Sequence, residues 1–257
     1  MKLIVTTSQS SEIISTQLNL FLKETKLEFI SRRRKSLEFL AEDNKAQGVI
    51  VWHEAGPILH MEGEKFFFHP SMAKNRLSAY RKHHIEDTLV KACDMQRSDS
   101  FLDCTLGMGA DSIVASYFTD GRVSGLESSY PVAVIVKWGM KTYQTKISWL
   151  MEPIKKIDVC CVNHYEFLKS QPDNSYDIVY FDPMFRHPLL KSQPLAPLRL
   201  IADHAPLTCD TIAEACRVAR KRVVMKEKFM SNEMQKLGFA KFAGSINNKI
   251  SYGYINI

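Results

Sequence analysis

The 257-residue chain has little of what would mark a protein for a membrane, for export or for a structural metal. No apolar stretch approaches the ~20 residues that cross a bilayer. The short apolar run within Met1 to Ser8 carries one Lys and is followed by no small-residue cleavage site. The expectation is a soluble cytoplasmic protein with no membrane partner. Six cysteines (Cys93, Cys104, Cys160, Cys161, Cys209 and Cys216) form no CxxC pair and no Cys/His zinc spacing. They predict buried thiols in a reducing compartment and no metal site. Proline, glycine and serine are not in excess and no segment repeats, which excludes a disordered or repetitive chain.

What is present fits a catalytic domain with a smaller appendage: 45% hydrophobic and 24% charged residues, in a length that can bury a sizeable core. The net charge of +6 suits a polyanionic partner without requiring one. Two basic runs, Arg32-Arg33-Arg34-Lys35 and Arg217, Arg220, Lys221, Arg222, are candidate phosphate contacts or ordinary solvated surface.

Residues 1–70 read as a small mixed α+β domain. It has a strand at Lys2 to Thr7, a helix from about Ser11 to Lys23, a strand near Leu27 to Ile30, and a helix opened by the Arg32 run and reaching about Asn44. Three short strands follow, Gly48 to His53, Ile58 to Met61 and Lys65 to His69, separated by Ala55-Gly56-Pro57 and Glu62-Gly63-Glu64 turns. His53, His60 and His69 fall in separate strands and are assigned no metal. A helical stretch from Ser71 to about Met95, with Arg81-Lys82-His83-His84 as its polar middle, leads into the second domain, 71–257. There, strands and helices alternate. Near-continuous apolar strands at Ser100 to Cys104, Arg122 to Glu127, Ile157 to Val162, Tyr176 to Phe181 and Arg222 to Lys226 predict a parallel α/β sheet covered on both faces. Phe239 to Ala243 and Ser251 to Ile255, joined through Ser245 to Asn248, predict an antiparallel hairpin at its edge.

The first strand of this sheet ends in Asp103-Cys104-Thr105-Leu106-Gly107-Met108-Gly109-Ala110-Asp111-Ser112, a carboxylate followed by a Gly-x-Gly loop opening a helix. Glycines let the backbone turn sharply and approach a ligand at the carboxyl ends of parallel strands. The next strand ends at Glu127, eighteen positions past Gly109, where a carboxylate can accept both ribose hydroxyls. A nucleoside-bearing cofactor follows. A dinucleotide would want a third glycine where Ser112 stands, and phosphates would sit poorly beside Asp103. Asp103 can instead hold the ammonium of a methionine moiety, and the terminal hairpin matches a class I methyltransferase sheet, so S-adenosylmethionine is the expected cofactor. Cys104 sits on the strand tip as a core thiol rather than a nucleophile.

The fourth strand runs into Asp182-Pro183-Met184-Phe185. This resembles the Asn/Asp-Pro-Pro-Tyr/Phe motif of methyltransferases acting on exocyclic base amines. The resemblance implies that Asp182 accepts a hydrogen bond from the amine, that a carbonyl near Pro183 accepts a second, and that Phe185 stacks on the base. Two acceptors would draw the delocalised lone pair of an aryl amine toward a nucleophilic geometry. Over about Ser71 to Ile257 the chain further resembles the RsmJ-type family, which methylates a guanine amine in bacterial small-subunit ribosomal RNA. The stretches Asp103 to Asp111, Tyr180-Phe181-Asp182-Pro183-Met184-Phe185-Arg186-His187 and Lys221 to Lys226 carry it, whereas Lys82 to Asp87 stands where the family has a glycine-rich stretch. It implies cofactor contacts from Asp103, Thr105, Gly107, Gly109, Asp111 and Glu127. After the third strand, where class I enzymes place an acid against adenine, stand Asn163 and His164; either contacts adenine, or His164 caps the next helix at the surface. Lys226 and Arg186 are candidate phosphate contacts or strand-end charges.

The expected activity is therefore S-adenosylmethionine-dependent N-methylation of a base amine, guanine N2 of ribosomal RNA being favoured. A non-catalytic RNA-binding or ribosome-assembly protein retaining the fold, and a methyltransferase acting on DNA adenine or a small-molecule amine, are the alternatives.

Overall fold

A computed structural model of the chain describes residues 1–8, 14–183, 201–203, 205–228, 232–239, 241–243 and 250–257. Two compact units divide it. One comprises Met1–His69 together with Val134–Gln144; the other holds Pro70–Ala133 and most of the remainder.

The first unit is built on a five-stranded sheet ordered β2-β1-β3-β4-β5. Strand β1 (Leu3–Thr7) runs parallel to β2 (Glu28–Phe29) and β3 (Gly48–His53), and β3, β4 (Gly56–Met61) and β5 (Glu64–Phe67) form an antiparallel meander. Helix α1 (Thr16–Thr25) starts where Ser15 Oγ accepts the Leu18 N–H at 3.2 Å and stops at Lys26 in the left-handed conformation. It buries Leu18 and Phe21, and Phe21 meets Trp52 and Trp138 with ring centroids 5.0 and 5.4 Å apart. Helix α2 (Leu37–Asp43) is capped by Ser36, whose Oγ accepts from Phe39 N at 3.1 Å, and lays Leu40 on Ile4, Val49 and Val51.

The Arg32 run does not open that helix. Arg33 and Arg34 have φ of 43° and 62°, a left-handed pair that right-handed helix cannot include, so Arg32 to Lys35 form a turn ahead of the Ser36 cap.

The second unit carries a seven-stranded sheet ordered β11-β12-β10-β9-β6-β7-β8. Strands β6 (Phe101–Asp103), β7 (Val123–Glu127), β8 (Asp158–Cys161), β9 (Tyr176–Phe181) and β10 (Ala219–Lys228) are mutually parallel where they pair, and β12 (Ile250–Asn256) runs antiparallel to β10 and to β11 (Lys241–Ala243). This is a Rossmann-like α/β sheet with an antiparallel edge, and the Ser245 to Asn248 connection lies outside the described residues. Its helices are α3 (Ser71–His83), α4 (Thr88–Cys93), α5 (Ala110–Phe118), the start of α6 (Tyr130–Thr142), α7 (Ser148–Lys155), α8 (His164–Ser170), α9 (Cys209–Val218) and α10 (Glu233–Lys236). The helical stretch after Ser71 is two helices, because His84 turns left-handed and Asp87 caps a new start by accepting from Leu89 N at 2.9 Å.

The cysteines are not uniformly buried. Cys93 and Cys104 are, but Cys161, ending the edge strand β8, and Cys209, opening α9, are exposed. Among the described residues no helix is long and apolar enough to cross a membrane, and no cluster of His, Cys, Asp and Glu could hold a metal.

Candidate functional site

The carboxyl ends of β6, β7, β9 and β10 bring Asp103, Glu127, Asp182 and Lys226 to one edge of the second unit's sheet. Between β6 and α5 the backbone turns through Gly107 at φ 49° and Gly109 at φ 73°. It is pinned from below: Cys104 N donates to Tyr180 O at 2.8 Å, Leu106 N to Leu126 O at 2.8 Å and Gly109 N to Leu106 O at 2.7 Å. Among the described residues there is space above Gly107. Apart from its chain neighbours, a β-carbon there would meet one heavy atom of them within 4 Å, the Thr105 carbonyl at 3.9 Å, so the turn presents bare backbone.

Glu127 is held against this turn. Its Oε2 accepts from Gly107 N at 3.1 Å and its Oε1 from Ser129 N at 2.9 Å. Burial pushes its pKa above the ordinary value against those two bonds. Asp203, whose Oδ2 accepts from Ser128 Oγ at 2.9 Å, adds a second negative charge nearby. Sequence patterning gave no signal for Asp203, which belongs to no strand tip.

Asp103 is 1% exposed and faces inward along the loop. Its Oδ1 accepts from Thr105 N at 3.1 Å and its Oδ2 from Ser112 Oγ at 2.7 Å. Burial, with the Asp111 and Asp182 carboxylates adding to it, pushes its pKa up to about 7. Ser112 thus has a bonding role of its own, beyond standing where a dinucleotide site would have glycine.

Asp182 follows β9 directly. Its N–H donates to Thr105 Oγ1 at 2.6 Å, so the glycine loop positions the backbone of the Asp-Pro pair. Its Oδ2 accepts from Lys226 Nζ at 2.7 Å. The same ammonium donates to Asp111 Oδ2 at 3.0 Å, to which Tyr180 Oη also donates at 3.1 Å. Arg76 reaches Asp111 Oδ1 with Nη1 and grips Asp87 with two 2.8 Å bonds. Burial opposes all these charges, but the pairing outweighs it for Asp111, held well below the usual carboxylate range, and for Lys226 and Arg76, held firmly cationic. Asp182 moves upward, since burial and Asp111 together exceed the pull of Lys226. Pro183 adjoins this cluster in sequence, whereas Phe185 and Arg186 lie outside the described residues.

The structure therefore gathers Asp103, Thr105, Gly107, Gly109, Asp111, Glu127 and Asp182 at one edge, with Asp111 committed to Arg76, Tyr180 and Lys226. Lys226 is an interior cation with an 11% exposed side chain, paired with Asp111 and Asp182. Asn163 caps α8 by accepting from Tyr165 N at 2.9 Å, so the cap role does not fall to His164. His164 is half-buried edge-on against Phe181, ring centroids 5.9 Å apart, and burial lowers its pKa while Asp203 opposes. The second basic run is occupied at the opposite, amino-terminal end of β10. Arg217 binds Glu214, Asp173 and the Leu168 and Gln171 carbonyls, Arg220 binds Asp177, Lys221 binds Asp99, and Arg222 binds Asn256 and the Ala92 carbonyl.

An open glycine turn beside a positioned strand-tip carboxylate fits the nucleoside and amino-acid ends of S-adenosylmethionine. Residues 67–241 match the family described as "Putative SAM-dependent methyltransferase". Bacillus subtilis YpiP, an uncharacterised protein, is 35% identical over 239 residues, 92% of this chain and 93% of its own. Ribosomal RNA small subunit methyltransferase J of Bdellovibrio bacteriovorus is 26% identical over 178 residues, 66% of this chain and 68% of its own. In fold, the chain is similar to a solved SAM-dependent methyltransferase of Neisseria gonorrhoeae, with a TM-score of 0.66 at 18% identity over 98% of this chain and 95% of that one.

Proposed function

Because the chain belongs to the SAM-dependent methyltransferase family and takes S-adenosylmethionine as its cofactor, we propose that it methylates the exocyclic amine of a nucleic-acid base, guanine N2 of small-subunit ribosomal RNA, in the cytoplasm. The observation that carries this reading is Asp182: a carboxylate at the β9 tip, fixed through Thr105 to the glycine loop and through Lys226 to the next strand, and followed by Pro183-Met184-Phe185. The relatedness to ribosomal RNA methyltransferase J supports the choice of substrate.

The bound cofactor supplies an electrophilic methyl group on a sulfonium. Gly107 and Gly109 offer it backbone at close range, Glu127 accepts its ribose hydroxyls, and Asp103 compensates the ammonium of its methionine end. Asp182 accepts one N–H of the target amine and the carbonyl beside Pro183 a second, turning the nitrogen lone pair out of conjugation, while Phe185 stacks on the ring. The proton that the methylated nitrogen sheds passes to Asp182. No covalent nucleophile is needed, since orientation and desolvation supply most of the acceleration. Residues 1–70, with Arg33, Arg34 and Lys35 exposed in the turn that follows Arg32, supply sequence-independent RNA contact.

Mass spectrometry of ribosomal RNA nucleosides from a strain lacking the gene tests the proposal. Loss of one N2-methylguanosine, restored by the wild-type gene and not by Asp182→Ala, is expected; an unchanged methylation pattern would overturn it.

A further inference from the structure

Lys226 has no chemical step in the reaction as described, yet it is a closely held cation at the site. Its strand pairs on both sides, Met225 with Phe181 of β9 and Lys226 itself with Tyr252 of β12, so its backbone cannot shift without moving two neighbours. Its ammonium lies between Asp182 on the substrate side and Asp111 in the first turn of α5, the helix that the glycine loop opens. Asp111 is gripped from behind by Arg76, whose other edge is spent on Asp87, itself the cap of α4. The result is a continuous alternation, Asp87, Arg76, Asp111, Lys226, Asp182, drawn from α3, α5, β10, the α4 cap and the β9 tip.

We propose that Lys226 is a positioning residue for methyl transfer: it fixes the Asp182 carboxylate by its Oδ2 for the target amine, while Asp111 and Arg76 serve to hold Lys226 rather than to touch cofactor. This rests on Asp182 being the acceptor for the amine. Two features separate it from a merely structural ion pair. The five groups comprise two cations and three carboxylates, so one negative charge is left over, and of the two terminal carboxylates Asp87 is spent on capping α4 while Asp182 lies next to the loop. A buried ammonium is also costly to keep, and replacing such pairs by apolar side chains is often neutral or stabilising, so stability alone does not call for a lysine here.

The consequence is chemical. Among the described residues, the groups facing Asp182 are Lys226 from β10, Asp111 from α5 and Asp103 from β6, with Tyr180 of β9 close by, and Arg76 and Tyr252 acting on Asp111 and Lys226. Among them, Lys226 donates to Asp182. Without it, burial and two neighbouring carboxylates favour the neutral acid, which is a weaker acceptor for the amine and cannot take its proton.

The test uses the full chain and two independent readouts. The first is carbon-13 NMR titration of the Asp182 carboxyl, assigned with Asp182→Asn, in wild type, Lys226→Met and Lys226→Arg. The second is kcat and KM against pH with S-adenosylmethionine and small-subunit RNA, with Lys221→Met, whose partner is Asp99 at the far end of the sheet, as the control for loss of an ordinary ion pair. In Lys226→Met the Asp182 midpoint and the acid limb of kcat should both rise by about one pH unit or more, with kcat down roughly 100-fold and KM for S-adenosylmethionine within about twofold. Lys226→Arg should restore the midpoint and part of kcat. A folded Lys226→Met whose Asp182 midpoint does not move overturns the proposal. If that variant does not fold, Asp111→Asn, which loosens the hold on Lys226, should lower kcat with cofactor affinity retained, and an unchanged kcat there overturns it equally. Failure of the parent reading looks different: Asp182→Ala would itself remain active.

Discussion

Ser112 Oγ lies 2.7 Å from Asp103 Oδ2, tying the first turns of α5 to the tip of β6 across the glycine loop between them. The bond favours the ionised form of a carboxylate that burial pushes up to about 7. If Asp103 holds the methionine ammonium, cofactor affinity must climb as pH rises through about 7 and level off above it. Ser112→Ala should move that midpoint further up. Calorimetric titration of S-adenosylmethionine at several pH values checks both, and a flat profile would remove Asp103 from the cofactor site. For stability the sign is opposite. The folded chain keeps a proton here that the unfolded chain, near 3.8, has lost, so this group's contribution is complete below that value and fades as pH rises to about 7.

Asp182→Ala and Gly107→Val should fail at different steps. The first is expected to lower methyl transfer roughly 100- to 10,000-fold with cofactor binding nearly intact, since Asp182 is assigned to the amine. The second puts a branched side chain at φ 49° into the open space above the turn, and should weaken cofactor binding first. Calorimetry beside single-turnover rates separates the two, and equal loss of cofactor affinity in both would merge sites that are here held distinct.

Gly139→Ala tests packing inside the first unit. A β-carbon on Gly139 of α6 would overlap Phe68 Cβ, an atom fixed to the backbone, so the helix or the chain at Phe68 must yield. Overpacking of this kind costs about 1–3 kcal/mol, read as a lower denaturation midpoint at unchanged slope. An unaltered midpoint would mean that the overlap relaxes freely.

Replacing Arg32, Arg33, Arg34 and Lys35 together by Ala tests the RNA role of the first unit. Arg32 Nε donates to the Lys35 carbonyl and Lys35 Nζ lies over the Phe39 ring near Asp43, so these side chains are not equally available to one backbone. RNA affinity should fall, and its log-log salt dependence should flatten by roughly 0.7 to 0.9 for each phosphate that is no longer neutralised, with S-adenosylmethionine affinity unchanged. Identical salt slopes in mutant and wild type would leave the turn as ordinary solvated surface.

Much of what the residues say locally agrees with the structure. Apolar runs such as Tyr176 to Phe181 mark buried parallel strands, and Gly107, Gly109 and Glu127 occur at strand tips where spacing alone locates them. What local reading misses depends on partners distant in sequence. Arg76 is 35 positions from Asp111 and Lys226 is 115, so nothing in either neighbourhood announces that they share a carboxylate. The Arg32 run shows another limit. Arginine favours helix, but Ser36 supplies a cap to Phe39, and the two preceding left-handed residues decide where the helix begins. Charge runs likewise say nothing of their partners, and Arg217 to Arg222 are spent on carboxylates and carbonyls.

The aromatic trio of the first unit has a consequence for how the chain is made. Phe21 and Trp52 are synthesised early, but Trp138, the ring that packs on both, comes from α6, well beyond the last strand of their sheet. At about 5–20 residues per second a ribosome needs several seconds to travel from that strand to Trp138. During that interval every strand of the sheet has been made, and Phe21 and Trp52 lack the third ring of their cluster. Completion of this aromatic packing is therefore timed by a segment of the same unit, Val134–Gln144, that lies far downstream in sequence, and translation pauses between residues 69 and 144 would prolong the exposure of Phe21 and Trp52.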